Sequence, residues 1–375
     1  MTGTAPGNAQ SIDPQAVDIS VELATTRLKS PFVLLSGTVS RLLLSMVEPS
    51  DVGVVVLKTV TLAARDPNPE PRMWDLGYAT LNSIGLFNPG ADAFFGVELP
   101  HFLELEFNYI VSIGEFSTEG FVELIKIASD VVRAHERVRG IELNVSCPNV
   151  KEGGIAFSRD ARALARIVEA ASERIAGEIW VKVSPASDVP EQVRVARDNG
   201  ATAVVVANTY PATSVDPDTG VAYLGAGSGG LSGPGLLPIN VHCVRSARDV
   251  VRGAAHDVAR AADIKPNISG EGGATGARRP VSVALEGSGA PAAPHVPAIP
   301  IIASGGVATI EDTLAYFHAG ASLIGIGTAF MVYPDTPAVL ANALRERLAS
   351  RGIGSLAEML ERMGQAGQGE EGVRD

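Results

Sequence analysis

Cysteine is almost absent from this sequence. Cys147 and Cys243 are the two in 375 residues. Two thiols cannot build a disulfide framework or supply the four thiolates an iron–sulfur cluster normally takes, and a reducing, cytoplasmic setting is the expectation. Basic residues are outnumbered, 30 Lys and Arg against 42 Asp and Glu, for a net charge of −12. Such a surface repels phosphate backbones, which argues against a nucleic-acid partner. The six histidines fall without metal-ligand spacing, so no metal is expected. No apolar run approaches the ~18–20 residues of a membrane span. The first sixteen residues have neither a charged n-region nor an apolar h-region, so residues 1–16 are expected to form a disordered N-terminus and no membrane anchor. What the chain does have is 46% hydrophobic residues, enough for one barrel of ~250 residues with additions.

Read in order, residues 17–32 alternate and break at Thr25-Thr26, as a short hairpin would. Eight apolar strands follow, at 32–36, 53–58, 109–113, 140–144, 179–183, 203–207, 300–303 and 323–326. Amphipathic helical patterns lie between many of them, at 121–135, 161–175, 191–198, 239–251 and 310–319. Continuous apolar strands alternating with helices predict a parallel sheet buried on both faces. An α/β (β/α)8 TIM barrel is the leading architecture, with a doubly wound sheet as the alternative.

The polar residues favour the barrel. Ser36-Gly37, Lys58, Asn144, Lys182, Asn208, Ser304-Gly305-Gly306 and Gly327-Thr328 all stand at C-terminal strand ends. In a barrel those ends meet at one mouth, where active sites form. The glycine turns after strands seven and eight are where barrels bind phosphate, although tight strand-to-helix turns also demand glycine. A phosphate there with Lys182 across the mouth suits a phosphorylated cofactor such as FMN; the lysine could equally be ion-paired or form a Schiff base. Cys147 sits between Asn144 and Asn149 and precedes Pro148. A thiol so placed either packs as a small hydrophobe or takes a proton from a ligand held by the two amides.

At this point the chain resembles the class 1 dihydroorotate dehydrogenases, most closely the class 1B catalytic subunit, from about Val17 to Gly364. The motifs are Lys58-Thr59, Asn82-Ser83-Ile84-Gly85-Leu86 with Asn88-Pro89-Gly90, Asn144-Val-Ser-Cys-Pro-Asn149, Val183-Ser-Pro185, Asn208-Thr209, Gly230-Leu-Ser-Gly-Pro234, Ser304-Gly305-Gly306 and Gly327-Thr328. The resemblance implies an FMN-binding barrel domain over residues 17–364 that oxidises dihydroorotate to orotate in pyrimidine biosynthesis. It implies Cys147 as the catalytic base. Lys58, Asn82, Ser83, Ile84, Gly85, Leu86, Asn144, Asn149, Asn208 and Thr209 would hold substrate. Ser36, Gly37, Lys58, Thr59, Ser112, Asn144, Lys182, Ala207, Gly233, Gly305, Gly306, Gly327 and Thr328 would hold FMN. It also implies a homodimeric core and a partner subunit carrying FAD and an iron–sulfur cluster; the class 1A alternative is a homodimer using fumarate.

Three rivals stay open: a dihydropyrimidine dehydrogenase subunit, a flavin-free barrel lyase using Lys182, and a non-catalytic flavin-binding barrel. Asn149 favours orotate over the first, whose members tend to carry histidine there. Two departures from the family pattern stand out. Ser112 occupies the position of an asparagine that usually touches FMN. Residues 253–298, rich in Gly, Ala, Pro and Ser, replace a short link before strand seven and are expected to be a disordered insertion. Residues 365–375 are expected to fray.

Overall fold

The structure is a computed structural model that describes residues 12–146, 157–263 and 299–370. Its centre is a closed barrel of parallel strands: β1 (Phe32–Leu34), β2 (Val54–Val60), β3 (Tyr109–Ile113), β4 (Val138–Asn144), β5 (Glu178–Lys182), β6 (Ala203–Val206), β7 (Ile301–Ser304) and β8 (Leu323–Ile326). Each strand pairs with the next in the chain, and β8 pairs with β1. A doubly wound sheet would be open and reverse its order; this one does neither. Val54, Val55, Val56 and Leu57 are all buried, as are Ala203, Val204, Val205 and Val206, because side chains fill the barrel on one face and helices cover the other.

The longer helices are α1 (Thr118–Ala134), α2 (Ala161–Ser172), α3 (Val189–Asp198), α4 (Leu237–Asp263), α5 (Ile310–Ala319), α6 (Thr336–Ala349) and α7 (Leu356–Glu370). Their starts follow local chemistry. Ser117, Asp160 and Asp188 cap α1, α2 and α3 by accepting backbone N–H bonds, and Thr309 with Asp312 forms a reciprocal capping box on α5.

Several expectations are corrected. Helix α4 runs past Val251 to Asp263, so the start of the stretch expected to lack structure is helical. Helix α7 likewise reaches Glu370. Pro14–Ala16 forms one turn of 3-10 helix capped by Asp13, because proline presets the backbone angle. Residues 264–298, the remainder of the expected insertion, lie outside the described residues. The N-terminal hairpin is present as Val21–Glu22 against Arg27–Leu28. Its turn reaches the bottom of the barrel, where the Thr25 amide and hydroxyl both donate to Glu178 Oε1, at 2.8 and 2.6 Å. Nearby, Asp18 bridges to the segment before α7: its amide donates to the Gly354 carbonyl, and its carbonyl accepts from Leu356.

One feature was not anticipated. A four-stranded antiparallel sheet stands over the mouth, in the order Tyr210–Ala212, Gly229–Ser232, Thr80–Asn82, Met73–Asp75. Strands this short, two of them broken by glycine or proline, carry no readable alternation.

Candidate active site

The C-terminal strand ends surround one cavity of about 870 Å³. Ser36 and Gly37 after β1, Lys58 and Thr59 on β2, Asn144 on β4 and Lys182 on β5 all line it. So do Ala207, Asn208 and Thr209 after β6, Gly305 and Gly306 after β7, and Gly327 and Thr328 after β8. The antiparallel sheet adds Asn82, the residue after its Gly229–Ser232 strand adds Gly233, and the loop after Asn82 adds Ile84, Gly85 and Leu86. Residues as far apart in sequence as Ser36 and Thr328 therefore meet because a barrel gathers strand ends.

Lys58 reaches the site by a different route from the one expected. It does not end its strand; β2 continues to Val60. Leu57 pairs with Val111 and Val60 with Ile113, so Lys58 and Thr59 together oppose Ser112. This bulge re-aims the two side chains at the mouth, a common use of a bulge beside an active site.

Ser112 stands apart from the residues gathered at the mouth. It is fully buried and does not line the cavity. A serine is too short to reach past Thr59, and it bonds Thr59 Oγ1 at 2.9 Å and Glu142 Oε1 at 2.8 Å. Ser83 is also buried outside the cavity lining; it accepts from Asn68 Nδ2 at 2.9 Å. Cys147 and Asn149 lie outside the described residues.

The carboxamides are positioned by one another. Asn144 Nδ2 donates to Thr59 Oγ1 at 3.1 Å, while its Oδ1 accepts from Ser146 Oγ and Asn208 Nδ2, both at 3.3 Å. Asn208 Nδ2 also donates to Ser146 Oγ at 2.6 Å. Asn82 Nδ2 donates to the Gly230 carbonyl across the antiparallel sheet. The loop after Asn82 is held by Asn88, which sequence reasoning noted only as part of a motif. Its Oδ1 accepts from the Thr61 and Gly90 amides, and its Nδ2 donates to Thr61 Oγ1 and the Leu86 carbonyl. That grip keeps Leu86 at φ +57°, an unusual angle for a leucine, and presents the Ile84–Leu86 backbone to the cavity.

The wall at β7 and β8 is backbone. Gly305 and Gly306 have φ of +104° and +79°, where any side chain is strained. Tyr316 Oη pins the turn from behind by donating to the Gly305 carbonyl at 2.5 Å, and burial pushes that phenol up, so it stays a neutral donor. Ser232 and Thr328 hydroxyls meet at 3.1 Å on the same side.

This donor set fits a flavin mononucleotide. Backbone amides at Gly305, Gly306, Gly327 and Thr328 suit a phosphate, and Lys182 suits the electron-rich edge of an isoalloxazine ring. A cavity of this size lies at the upper end of the range for cofactor sites, with room for a small ring beside the flavin. Among the described residues, no group of three or more His, Cys, Asp or Glu is arranged to hold a metal ion, and no helix is long and apolar enough to cross a membrane.

Comparison with known proteins accords with this geometry. The family model for dihydroorotate dehydrogenase matches residues 18–255 and 250–348. The chain belongs to the dihydroorotate dehydrogenase family. Among curated relatives, the catalytic subunit of dihydroorotate dehydrogenase B (NAD(+)) from Caldicellulosiruptor bescii is 30% identical over 347 residues, covering 92% of this chain and 98% of the relative. The protein of the same name from Bacillus caldolyticus is 31% identical over 353 residues, covering 93% and 96%. A Solibacter usitatus protein, provisionally named dihydroorotate dehydrogenase A (fumarate), is 31% identical over 346 residues, covering 90% and 97%. The family therefore accounts for nearly the whole chain, and it includes members of both types.

Proposed function

We propose that this dihydroorotate dehydrogenase oxidises (S)-dihydroorotate to orotate in pyrimidine biosynthesis, with FMN as its cofactor. The observation that carries the reading is the convergence of two lysines and four asparagines on one cavity that also has a glycine-built wall. The substrate is a small anion with a ring of amide-like groups. Lys58 pairs with its carboxylate, and Asn82, Asn144 and Asn208 offer both donors and acceptors to its ring. The Ile84–Leu86 backbone closes one side of the ring, beside Thr209. FMN, when bound, supplies the acceptor for the hydride that leaves C6. Lys182 provides positive charge where that acceptor gains electron density. Cys147, three residues after Asn144 in the sequence and two before Asn149, takes the C5 proton. A free thiol has a pKa of ~8.5, so a neighbouring cation or amide needs to lower it only slightly for it to serve as a base near neutrality.

The relatives named as catalytic subunits support a two-subunit enzyme. In this reading a homodimeric core of this chain works in the cytoplasm and passes electrons to NAD+ through a partner carrying FAD and an iron–sulfur cluster. The relative named for fumarate supplies the competing acceptor.

The test is anaerobic. Adding dihydroorotate to the purified protein should bleach the oxidised flavin band. A band that ignores dihydroorotate and bleaches with dihydrouracil would remove the substrate assignment. No band, even after FMN is added, would remove the cofactor as well.

A further inference from the structure

The barrel interior rises in layers, because residues two apart on a strand share a face. Asn144 pairs in register with Lys182 at the mouth, and one layer down Glu142 pairs with Ser112 on one side and Trp180 on the other. Glu142 is 0% exposed. Its Oε1 accepts from Ser112 Oγ at 2.8 Å and from Ser36 Oγ at 3.2 Å. Lys182 Nζ in turn donates to Ser36 Oγ at 3.3 Å. Its other oxygen, Oε2, has no partner among the described residues, nor has the ring N–H of Trp180 beside it.

We propose that Glu142 is a positioning residue for the flavin and substrate sites, the buried counter-charge that directs the bonds of Asn144 and offsets the charge of Lys182. Direction follows from donor counting. A carboxylate can only accept, so the Ser112 hydroxyl must point at Glu142. Thr59 must then donate to Ser112, and Asn144 must donate its Nδ2 to Thr59. The asparagine is thereby fixed with Oδ1 towards Asn208 and Ser146, an orientation an amide could otherwise reverse. On its second branch, through Ser36, the same carboxylate lies one hydroxyl away from the Lys182 ammonium. In a water-poor interior its negative charge opposes the stabilisation that Lys182 gives an electron-rich ring.

This inference rests on the FMN reading above, and its test separates the two. The two-electron midpoint potential of the bound flavin is measured against a reference dye in wild type and in Glu142→Gln, which keeps shape and removes charge. The expected result is a more positive potential, by about tenfold in the equilibrium constant with the dye, or ~30 mV. Glu142→Asp, which keeps the charge, should stay much closer to wild type. Wild-type protein that binds FMN, with a Glu142→Gln potential indistinguishable from it, overturns the inference and leaves the FMN reading intact. Wild-type protein that binds no FMN overturns both. If Glu142→Gln does not fold, Ser112→Ala tests the other branch with a smaller change. It should raise the dihydroorotate KM about threefold or more while FMN affinity holds, and an unchanged KM overturns the inference.

Discussion

Each end of the barrel buries a glutamate, and the two are used differently. Glu178, at the N-terminal end of β5, has both oxygens occupied. Oε1 accepts from the Thr25 amide and hydroxyl, and Oε2 accepts from Thr202 Oγ1 at 2.6 Å. Glu142, a layer below the mouth, engages one oxygen and leaves the other without a partner among the described residues. A carboxylate satisfied on all sides closes a structure, here by tying the hairpin to the barrel floor. One satisfied on a single side sets the direction of the bonds above it. The same contrast separates the two sites: the one at the floor is closed on itself, and the one below the mouth leads on to the cavity through Ser36, Thr59 and Asn144.

The largest effect should come from removing the proposed base. Cys147→Ala is expected to lower turnover by about 10²–10⁴-fold, the usual worth of a positioned base, with FMN content unchanged. Steady-state kinetics beside the flavin spectrum decides it, and turnover within a few-fold of wild type would refute the assignment. Next comes the backbone wall. In Gly306→Ala the new Cβ would meet the Leu237 amide nitrogen at 2.9 Å, at a φ of +79°. The strain alone is about 1–2 kcal/mol, so FMN affinity should fall at least about tenfold, read by equilibrium dialysis of the apoprotein. A variant that binds FMN normally would show that the turn is not the phosphate seat.

At the floor the ordering should reverse. Glu178→Gln turns an amide donor towards hydroxyl or amide donors, at a cost of about 1–3 kcal/mol in stability. Denaturant unfolding should register the loss while the flavin potential stays at the wild-type value; a moved potential would mean that the two ends are coupled. The smallest effect belongs to Asp18. Its carboxyl is held below the ordinary carboxylate range by hydrogen bonds from Ser20, with Arg27 adding to the effect. Its folded pKa lies below its unfolded one, so its contribution is present above the unfolded pKa of ~3.9 and is lost as pH falls through the depressed value. The group is half exposed, so Asp18→Asn should cost well under ~1 kcal/mol near neutrality, and the difference from wild type should vanish in acid.

How much of this was legible in the sequence depends on what each residue needed. The barrel was, because eight buried parallel strands leave continuous apolar runs. The mouth was too, because Ser36, Asn144, Lys182, Asn208 and the two glycine turns each follow or end such a run. Thr59 and Lys58 were legible as residues but not as a bulge, since register depends on the partner strand. Ser112 was legible as a residue but not as a member of a buried network. Its position invited a flavin contact, but a shorter side chain turns to Thr59 and Glu142. Glu142 passed unremarked inside an apolar strand, although one signal was available: it lies two residues before Asn144, on the same face of β4, with no charge elsewhere between Ile141 and Ser146. Such a charge is either an error of burial or part of a network, and only the structure names its partners.

The bonds between Asp18 and the segment that opens α7 have a further consequence. Asp18 is stitched to Gly354 and Leu356, so the first and last segments of the described fold already lie side by side. The order of strands around a closed ring has no intrinsic starting point. Splicing those segments through a short linker and opening new termini between residues 264 and 298 would preserve every strand pair in the barrel. Such a circular permutant should fold, hold the same cavity and begin its sequence at β7, with the glycine wall synthesised before the other strand ends of the mouth.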